Sequence, residues 1–228
     1  MKKLFTLVMA LSGYLLSAQD LAENQHLGKI IKSDASTEDG VIEANTEFPW
    51  SFQKEIKFYD TKLLGTKIKG KDKKEFGPKD IRGFTFDDRT YESNKFADLS
   101  AVGPASLGAM YFLEVVLTGK INLYHLYDSP PTFISGTTIE EANAAARTPR
   151  LLIKKGDDKV KELTNNNISK FIEDCPSVLA KYDKGEYGNT VRDPNKSLAG
   201  NLLAKALAGS PQEAILMDIV KDYNATMK

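Results

Sequence analysis

The apolar positions of this chain change their period along its length, and each change marks a different kind of structure. Leu4 to Leu16 is an almost unbroken apolar run behind Lys2 and Lys3, interrupted only by Thr6, Ser12 and Gly13. Ser17-Ala18 supplies small residues just before Gln19. A cationic start, a short apolar stretch and a small-residue end predict a secretory signal peptide over residues 1–18. The run is too short for a bilayer core of about 30 Å, and no longer one follows, so no transmembrane segment is expected. No cysteine sits near the end of the segment, which argues against a lipidated N-terminus.

Residues 19–128 then read mainly as strands. Gly28 to Lys32 precedes a polar turn, Ser33 to Gly40, and Val41 to Ala44 follows it. Lys54 to Phe58 alternates polar and apolar residues, the period of a half-buried strand. Leu63 to Lys69 is less regular, with Leu64, Thr66 and Ile68 on one face. Ile81 to Phe86 places Phe84 and Phe86 on one face, and Thr90-Tyr91 opens a further strand. Tyr111 to Leu117 and Lys120 to Tyr127 flank Thr118-Gly119, which predicts a hairpin whose glycine takes the positive φ of a tight turn.

The period lengthens in residues 129–228. Pro130-Pro131 marks the break. Thr138-x-x-Glu141 has the form of a capping box opening a helix over Ile139 to Arg147, stopped by Pro149. Leu151 to Lys155, the turn Gly156-Asp157-Asp158 and Val160 to Leu163 predict a second hairpin. Ile168, Phe171, Ile172 and Cys175 share one helical face. Pro176 suits the first turn of the next helix, through Tyr182. A polar loop, Asp183 to Lys196, precedes an apolar stripe of Leu198, Leu202, Leu203 and Leu207 that Gly209 caps. Ser210-Pro211-x-Glu213 combines an N-cap, a proline at N1 and a capping-box glutamate. The last helix runs from there to Met227 and buries Ile215, Ile219, Val220 and Tyr223. Strands followed by helices predict an α+β fold: an antiparallel β-sheet body of meander and hairpins, followed by a C-terminal helical segment packed on it as one domain.

Composition narrows the class. The chain is 41% hydrophobic and 27% charged, which is ordinary for a globular protein and excludes wholesale disorder. Basic and acidic residues balance at 31 each. Such a surface has no long-range pull toward nucleic acid or anionic membranes. One cysteine, Cys175, cannot form an internal disulfide, so an exported fold must rest on its core.

Several stretches approach a catalytic or binding motif and then depart from it. Gly65-Thr-Lys-Ile-Lys-Gly70-Lys71-Asp72 follows a P-loop until Asp72 stands where Ser or Thr would hold Mg²⁺, and Gly77-Pro78 arrives too soon for the required helix. Asp34 to Gly40 resembles a calcium loop, but Asp39 and Asn45 occupy the positions of the turn glycine and the bidentate glutamate. Ser106, in Gly103-Pro-Ala-Ser-Leu-Gly108, is off register for a nucleophile elbow. Ser51-x-x-Lys54 lacks the partners of a Ser/Lys hydrolase. His26 and His125 are the two histidines, and neither their spacing nor Cys175 predicts a zinc site. Glu173 and Asp174 disfavour a thiolate at Cys175, whose helical spacing points to a buried apolar role. The adjacent pairs Glu140-Glu141, Asp87-Asp88 and Asp157-Asp158 sit at caps or turns, not astride a substrate. Lys67, Lys69, Lys71, Lys73 and Lys74 read as a solvated strand edge, with binding of an anionic envelope polymer as the sharper alternative. No catalytic, cofactor-binding or metal-binding residue is assigned, and no cofactor.

Six short stretches together carry a resemblance. They are Gly28-Lys-Ile-Ile-Lys; Pro78-Lys-Asp-Ile-Arg-Gly-Phe84 with Thr90-Tyr-Glu-Ser93; Gly119-Lys-Ile-Asn-Leu-Tyr124; Leu152-Ile-Lys-Lys-Gly156; Phe171-Ile-Glu-Asp-Cys-Pro176; and Ile219-Val-Lys-Asp-Tyr-Asn224. In these the chain resembles a set of uncharacterised exported proteins of Bacteroidetes-type bacteria. The resemblance implies a β-rich body with a helical C-terminal segment and no particular reaction. Residues 183–210 look like an insertion relative to that pattern. The helical C-terminus differs from the β-rich sorting domains of such bacteria, which favours the periplasm over the extracellular space.

The functional expectation is an exported envelope protein acting as a non-catalytic binding or interaction module, its partner an envelope protein or another envelope component. An exposed aromatic patch drawn from Trp50, Phe52, Tyr59, Tyr91 and Tyr124 would serve such a role; the other reading places these rings in the core. The alternative function is a small-ligand binder or atypical hydrolase, with His125, Ser106 and Cys175 the residues to look for in one pocket.

Overall fold

The computed structural model describes residues 21–64, 66–98, 108–130, 138–189 and 212–228. Ten strands form one sheet: β1 (Gln25–Ile31), β2 (Thr37–Glu43), β3 (Ile56–Tyr59), β4 (Lys74–Phe76), β5 (Gly83–Phe86), β6 (Arg89–Phe96), β7 (Ala109–Leu117), β8 (Ile121–Leu126), β9 (Arg150–Lys155) and β10 (Lys161–Glu162). Their order is β10-β9-β8-β7-β6-β5-β1-β2-β3-β4, and every neighbouring pair is antiparallel. The order follows the chain as a meander except that β1 lies between β2 and β5. Among the described residues four α-helices accompany the sheet: α1 (Ile139–Ala146), α2 (Ile168–Ile172), α3 (Pro176–Asp183) and α4 (Gln212–Thr226). This is the α+β arrangement expected from the pattern, with an antiparallel body and a helical C-terminal segment. The sheet crosses residue 128, because β9 and β10 add to the edge begun by β8.

Two hydrophobic clusters lie on one face of this sheet. The first is aromatic: Phe52, Phe58, Phe84, Phe86, Tyr91 and Phe112, with Ile30, Ile42 and Ile56 between them. Phe84 stacks on Tyr91 at 4.7 Å and meets Phe112 edge-on at 4.9 Å. Gly28 and Gly40 face each other across β1 and β2. A Cβ on Gly40 would lie 2.2 Å from the Phe58 ring, and one on Gly28 would lie 2.2 Å from the Thr85 carbonyl. The missing side chain at Gly40 lets the Phe58 ring press onto the sheet, and the one at Gly28 lets β5 approach β1. The second cluster is mostly aliphatic: Ile121, Leu123, Ile153, Ile168, Ile172, Val178, Ile219 and Val220, roofed by α2, α3 and α4.

The opposite face carries a third cluster, Phe96, Leu113, Tyr124, Leu126, Leu152 and Val160. A parallel bridge joins Phe96 to Val160, so β6 to β10 curl until their outer strands meet around it.

Several local expectations change in detail. Leu63 to Lys69 is not a strand in its described residues; a 3₁₀ turn covers Thr61–Leu63 and another Gly70–Asp72. The polar turn after β1 is shorter than Ser33 to Gly40, since β2 already begins at Thr37. Gly119 does not adopt positive φ; instead its open side admits the Asn224 carboxamide, 2.4 Å from where a Cβ would stand. In α4 Leu216 is buried and Ile215 only half-buried. The Leu198 to Leu207 stripe, its Gly209 cap and the Ser210-Pro211 start lie outside the described residues.

Candidate functional site

The structure separates the residues that the motifs singled out. Ser106 lies outside the described residues. Cys175 is buried in the aliphatic cluster beneath α2 and α3, its Sγ 3.6 Å from Ser177 Oγ. His26 lies in β1. Its Nε2 donates to the Ala44 carbonyl at 3.0 Å, and Nδ1 faces Asp87 at 3.0 Å. The calcium-like loop is split by β2: Asp34 accepts from Ser36, Glu38 pairs with Lys32 and Asp39 with Lys29. The P-loop-like segment forms a 3₁₀ turn, with the Lys69 N–H donating to Asp72. Of the lysine cluster, Lys73 is tied to Glu43 at 2.6 Å and Lys74 lies on edge strand β4 near Glu38. Phe52, Tyr59, Tyr91 and Tyr124 are buried, so these aromatics form the core and no outward patch; Trp50 alone of the five is partly exposed.

One polar chain spans the junction between the aromatic and aliphatic clusters. Arg89 makes a two-pronged contact with Glu114, Nε to Oε1 at 2.7 Å and Nη2 to Oε2 at 3.0 Å. Tyr127 donates to the same Oε2 at 2.8 Å. His125, next to Glu114 in the β7–β8 register, has Nε2 2.7 Å from Glu213 at the start of α4 and Nδ1 3.9 Å from Glu114. Burial first, then the bond to Glu114, holds the Tyr127 phenol well above its ordinary range. Burial likewise raises Tyr91, whose ring lies 5.7 Å beneath the Arg89 guanidinium and whose hydroxyl has no partner among the described residues. Burial opposes the charge on Arg89, but the Glu114 carboxylate outweighs it and keeps the guanidinium protonated. The oxygens of Glu114 are already bonded, as is His125 Nε2. These groups brace β6, β7, β8 and α4 against one another.

Gln53 is a second brace, and nothing in the sequence pattern singled it out. It is 2% exposed. Its amide donates to the Tyr127 carbonyl at 2.7 Å and accepts from the Tyr127 N–H at 2.8 Å, while its own carbonyl takes the Phe112 N–H at 2.8 Å. The segment from Pro49 to Gln53 is thereby strapped across the sheet.

A concavity of about 650 Å³ opens beside β5 and β6. Its charged walls are Lys79, Arg82, Lys154 and Glu92. Ile31, Ile81, Met110 and Pro78 supply apolar lining, and Asn94 and Ser33 add polar groups. The rim is a braced turn. Asp80 accepts from the Gly77 N–H at 2.7 Å, and the Ser93 hydroxyl donates to the Pro78 carbonyl. Arg82 is anchored by its backbone on both sides, N–H to Ile31 and carbonyl to Ser93, each 2.8 Å. Its side chain is exposed and has no partner among the described residues, nor has that of Lys79. Glu92 receives the Tyr124 hydroxyl at 3.0 Å, and Lys154 reaches Asn94 at 3.4 Å.

Neither a protein-family model, a curated protein nor a solved structure matches this chain. The site therefore rests on its own geometry.

Two other concavities among the described residues are more heavily committed. In one of about 410 Å³, Lys155 is bound to Asp174 at 2.6 Å and Lys161 lies over the Phe171 ring. In one of about 110 Å³ near Trp50, Asp98 and Asp128 face Arg150. Among the described residues, no group of three His, Cys, Asp or Glu is placed to hold a metal ion, and no helix is long and apolar enough to cross a membrane.

Proposed function

We propose that the protein is exported to the periplasm and acts there as a non-catalytic binding module for an envelope protein or another envelope component. One observation carries this reading: the polar groups divide into two kinds. Those with chemical potential, His125, Glu114 and Tyr127, are bonded to one another as braces. The cations of the open concavity, Lys79 and Arg82, have donors to spare among the described residues. Free donors around an open hollow suit recognition; a general base or nucleophile must instead face a reacting atom.

The test is site-specific photocrosslinking from position 79 in cells. The expected result is export with loss of residues 1–18, and one stoichiometric crosslinked product from the envelope that disappears with Arg82→Glu. Retention of the chain in the cytoplasm would overturn the export reading. A crosslink indifferent to Arg82→Glu would overturn the assignment of the concavity.

A second reading, a small-ligand binder, draws on the volume of the same hollow, which falls within the range of about 300–1,000 Å³ usual for small-molecule sites. Its hydrolase form would require turnover that dies with His125→Ala.

A further inference from the structure

We infer that the concavity between the Gly77–Asp80 turn and β6 is a receptor for a carboxylate carried on a short apolar body. This rests on the binding-module reading and specifies its ligand. Among the described residues three cations, Lys79, Arg82 and Lys154, face one acid, Glu92, so these walls carry a surplus of positive charge. A guanidinium presents a planar fork that fits a carboxylate through two parallel hydrogen bonds. Arg82 can offer that fork, because its backbone is fixed by Ile31 and Ser93 while its head group is unengaged among the described residues.

The remaining lining decides what the carboxylate is attached to. Ile31, Ile81, Met110 and Pro78 give the hollow an apolar component that a bare inorganic anion would leave unfilled. Among the described residues no aromatic ring lines it, so these offer no flat platform on which a sugar face or nucleobase stacks. The Glu92 carboxylate also opposes a highly charged polymer close by. A carboxylate head against Arg82 and Lys79, with an aliphatic body against Ile31 and Met110, uses both parts of the wall. A peptide carboxyl terminus and a fatty acid share this chemistry.

The experiment is calorimetric titration of the full chain, purified as its host processes it, with four probes: acetyl-alanyl-leucine, its carboxamide, octanoate and inorganic phosphate. The expected result is binding of at least one free acid, at least about tenfold tighter than the carboxamide and phosphate, as loss of a charge-assisted pair predicts. Arg82→Gln is expected to remove that preference and Arg82→Lys to restore part of it. Because Arg82 is exposed, the thermal midpoint of both variants should match the parent. Tighter binding of the peptide identifies a carboxyl terminus as the source, and tighter binding of octanoate identifies a fatty acid. Equal binding of acid and carboxamide, or of phosphate, overturns the inference. So does silence from all four probes. In that last case, an Arg82-dependent crosslink in the envelope would leave the binding-module reading standing, and its absence would remove both.

Discussion

The two clusters on one face of the sheet are closed in different ways. The aromatic half buries six large rings, and among the described residues it is built without a helix: β1 to β3 supply Ile30, Ile42, Ile56 and Phe58, and Phe52 packs on Phe86 and Tyr91 from the Pro49 to Gln53 segment. The aliphatic half presents Ile121, Leu123, Leu151 and Ile153 on β8 and β9, and α2, α3 and α4 roof it. Bulky rings pack on one another and fill the space over their part of the sheet. Short branched side chains do not, so a second layer must come to them. The polar chain through Glu114 stands where one solution gives way to the other.

The sharpest break of this comparison is Phe84→Ala. It empties the centre of the aromatic half and should cost about 3–5 kcal/mol in denaturant unfolding. Ile219→Ala, in the helical roof, should cost about 2–4 kcal/mol in the same measurement. Both are expected to shift one common transition, because β7 contributes Phe112 to the first cluster and packs Val116 and Leu117 against the second. Two separable transitions would mean that the halves are independent units.

Gln53→Ala tests the strap. It leaves the Tyr127 N–H and carbonyl without their partner and should cost about 2–3 kcal/mol. Hydrogen exchange should then accelerate at Tyr127 while α4 stays protected; unchanged protection at Tyr127 would show that the strap is dispensable. Gly40→Ala presses a methyl group into the Phe58 ring and should cost about 1–3 kcal/mol, against almost nothing at Gly70, where nothing lies within 4 Å of an added Cβ.

The smallest expected effect concerns acid. In the helical half, hydrogen bonds from Lys181 and then Tyr187 hold the Asp222 carboxyl below its ordinary value of 3.8. Burial pushes Asp174 upward, but Lys155 and Tyr223 outweigh it and its net shift is also downward. A depressed carboxylate stabilises the fold above its unfolded pKa, and that contribution is lost as pH falls through the lower folded value. Stability should therefore fall below pH 3.8, and Asp222→Asn should flatten that limb while lowering stability near neutrality. Denaturant titrations near neutral pH and at about pH 2 compare the two. An acid limb as steep as the parent's would clear Asp222 of the role.

Local regularities were legible wherever neighbours in sequence supply the interaction. The Thr138–Glu141 capping box forms as spelled, with the Thr138 N–H donating to Glu141 at 2.9 Å. Pro176 sits at the first turn of α3, and the β7–β8 and β9–β10 hairpins close where Gly119 and Gly156 predicted. Lys67 to Lys71 misled the strand reading because alternation alone does not supply a pairing partner; the chain there turns twice before β4 finds β3. The candidate site was not legible at all. Arg82, Glu92 and Lys154 are ordinary charged residues in sequence, separated by up to 72 positions, and no spacing rule connects them.

What the sequence by itself determined was the class of the fold, the Thr138 capping box, the start of α3 at Pro176, the two hairpins and the burial of Cys175, since each depends on residue type and on periodicity over a few residues. The tertiary structure alone decided three things. It inserted β1 between β2 and β5, it turned the aromatic residues inward, and it gathered Lys79, Arg82 and Lys154 around one hollow. These depend on which distant strands pair and how far the sheet curls. That choice is made by the fit of whole faces against one another, and no local stretch of chain encodes it.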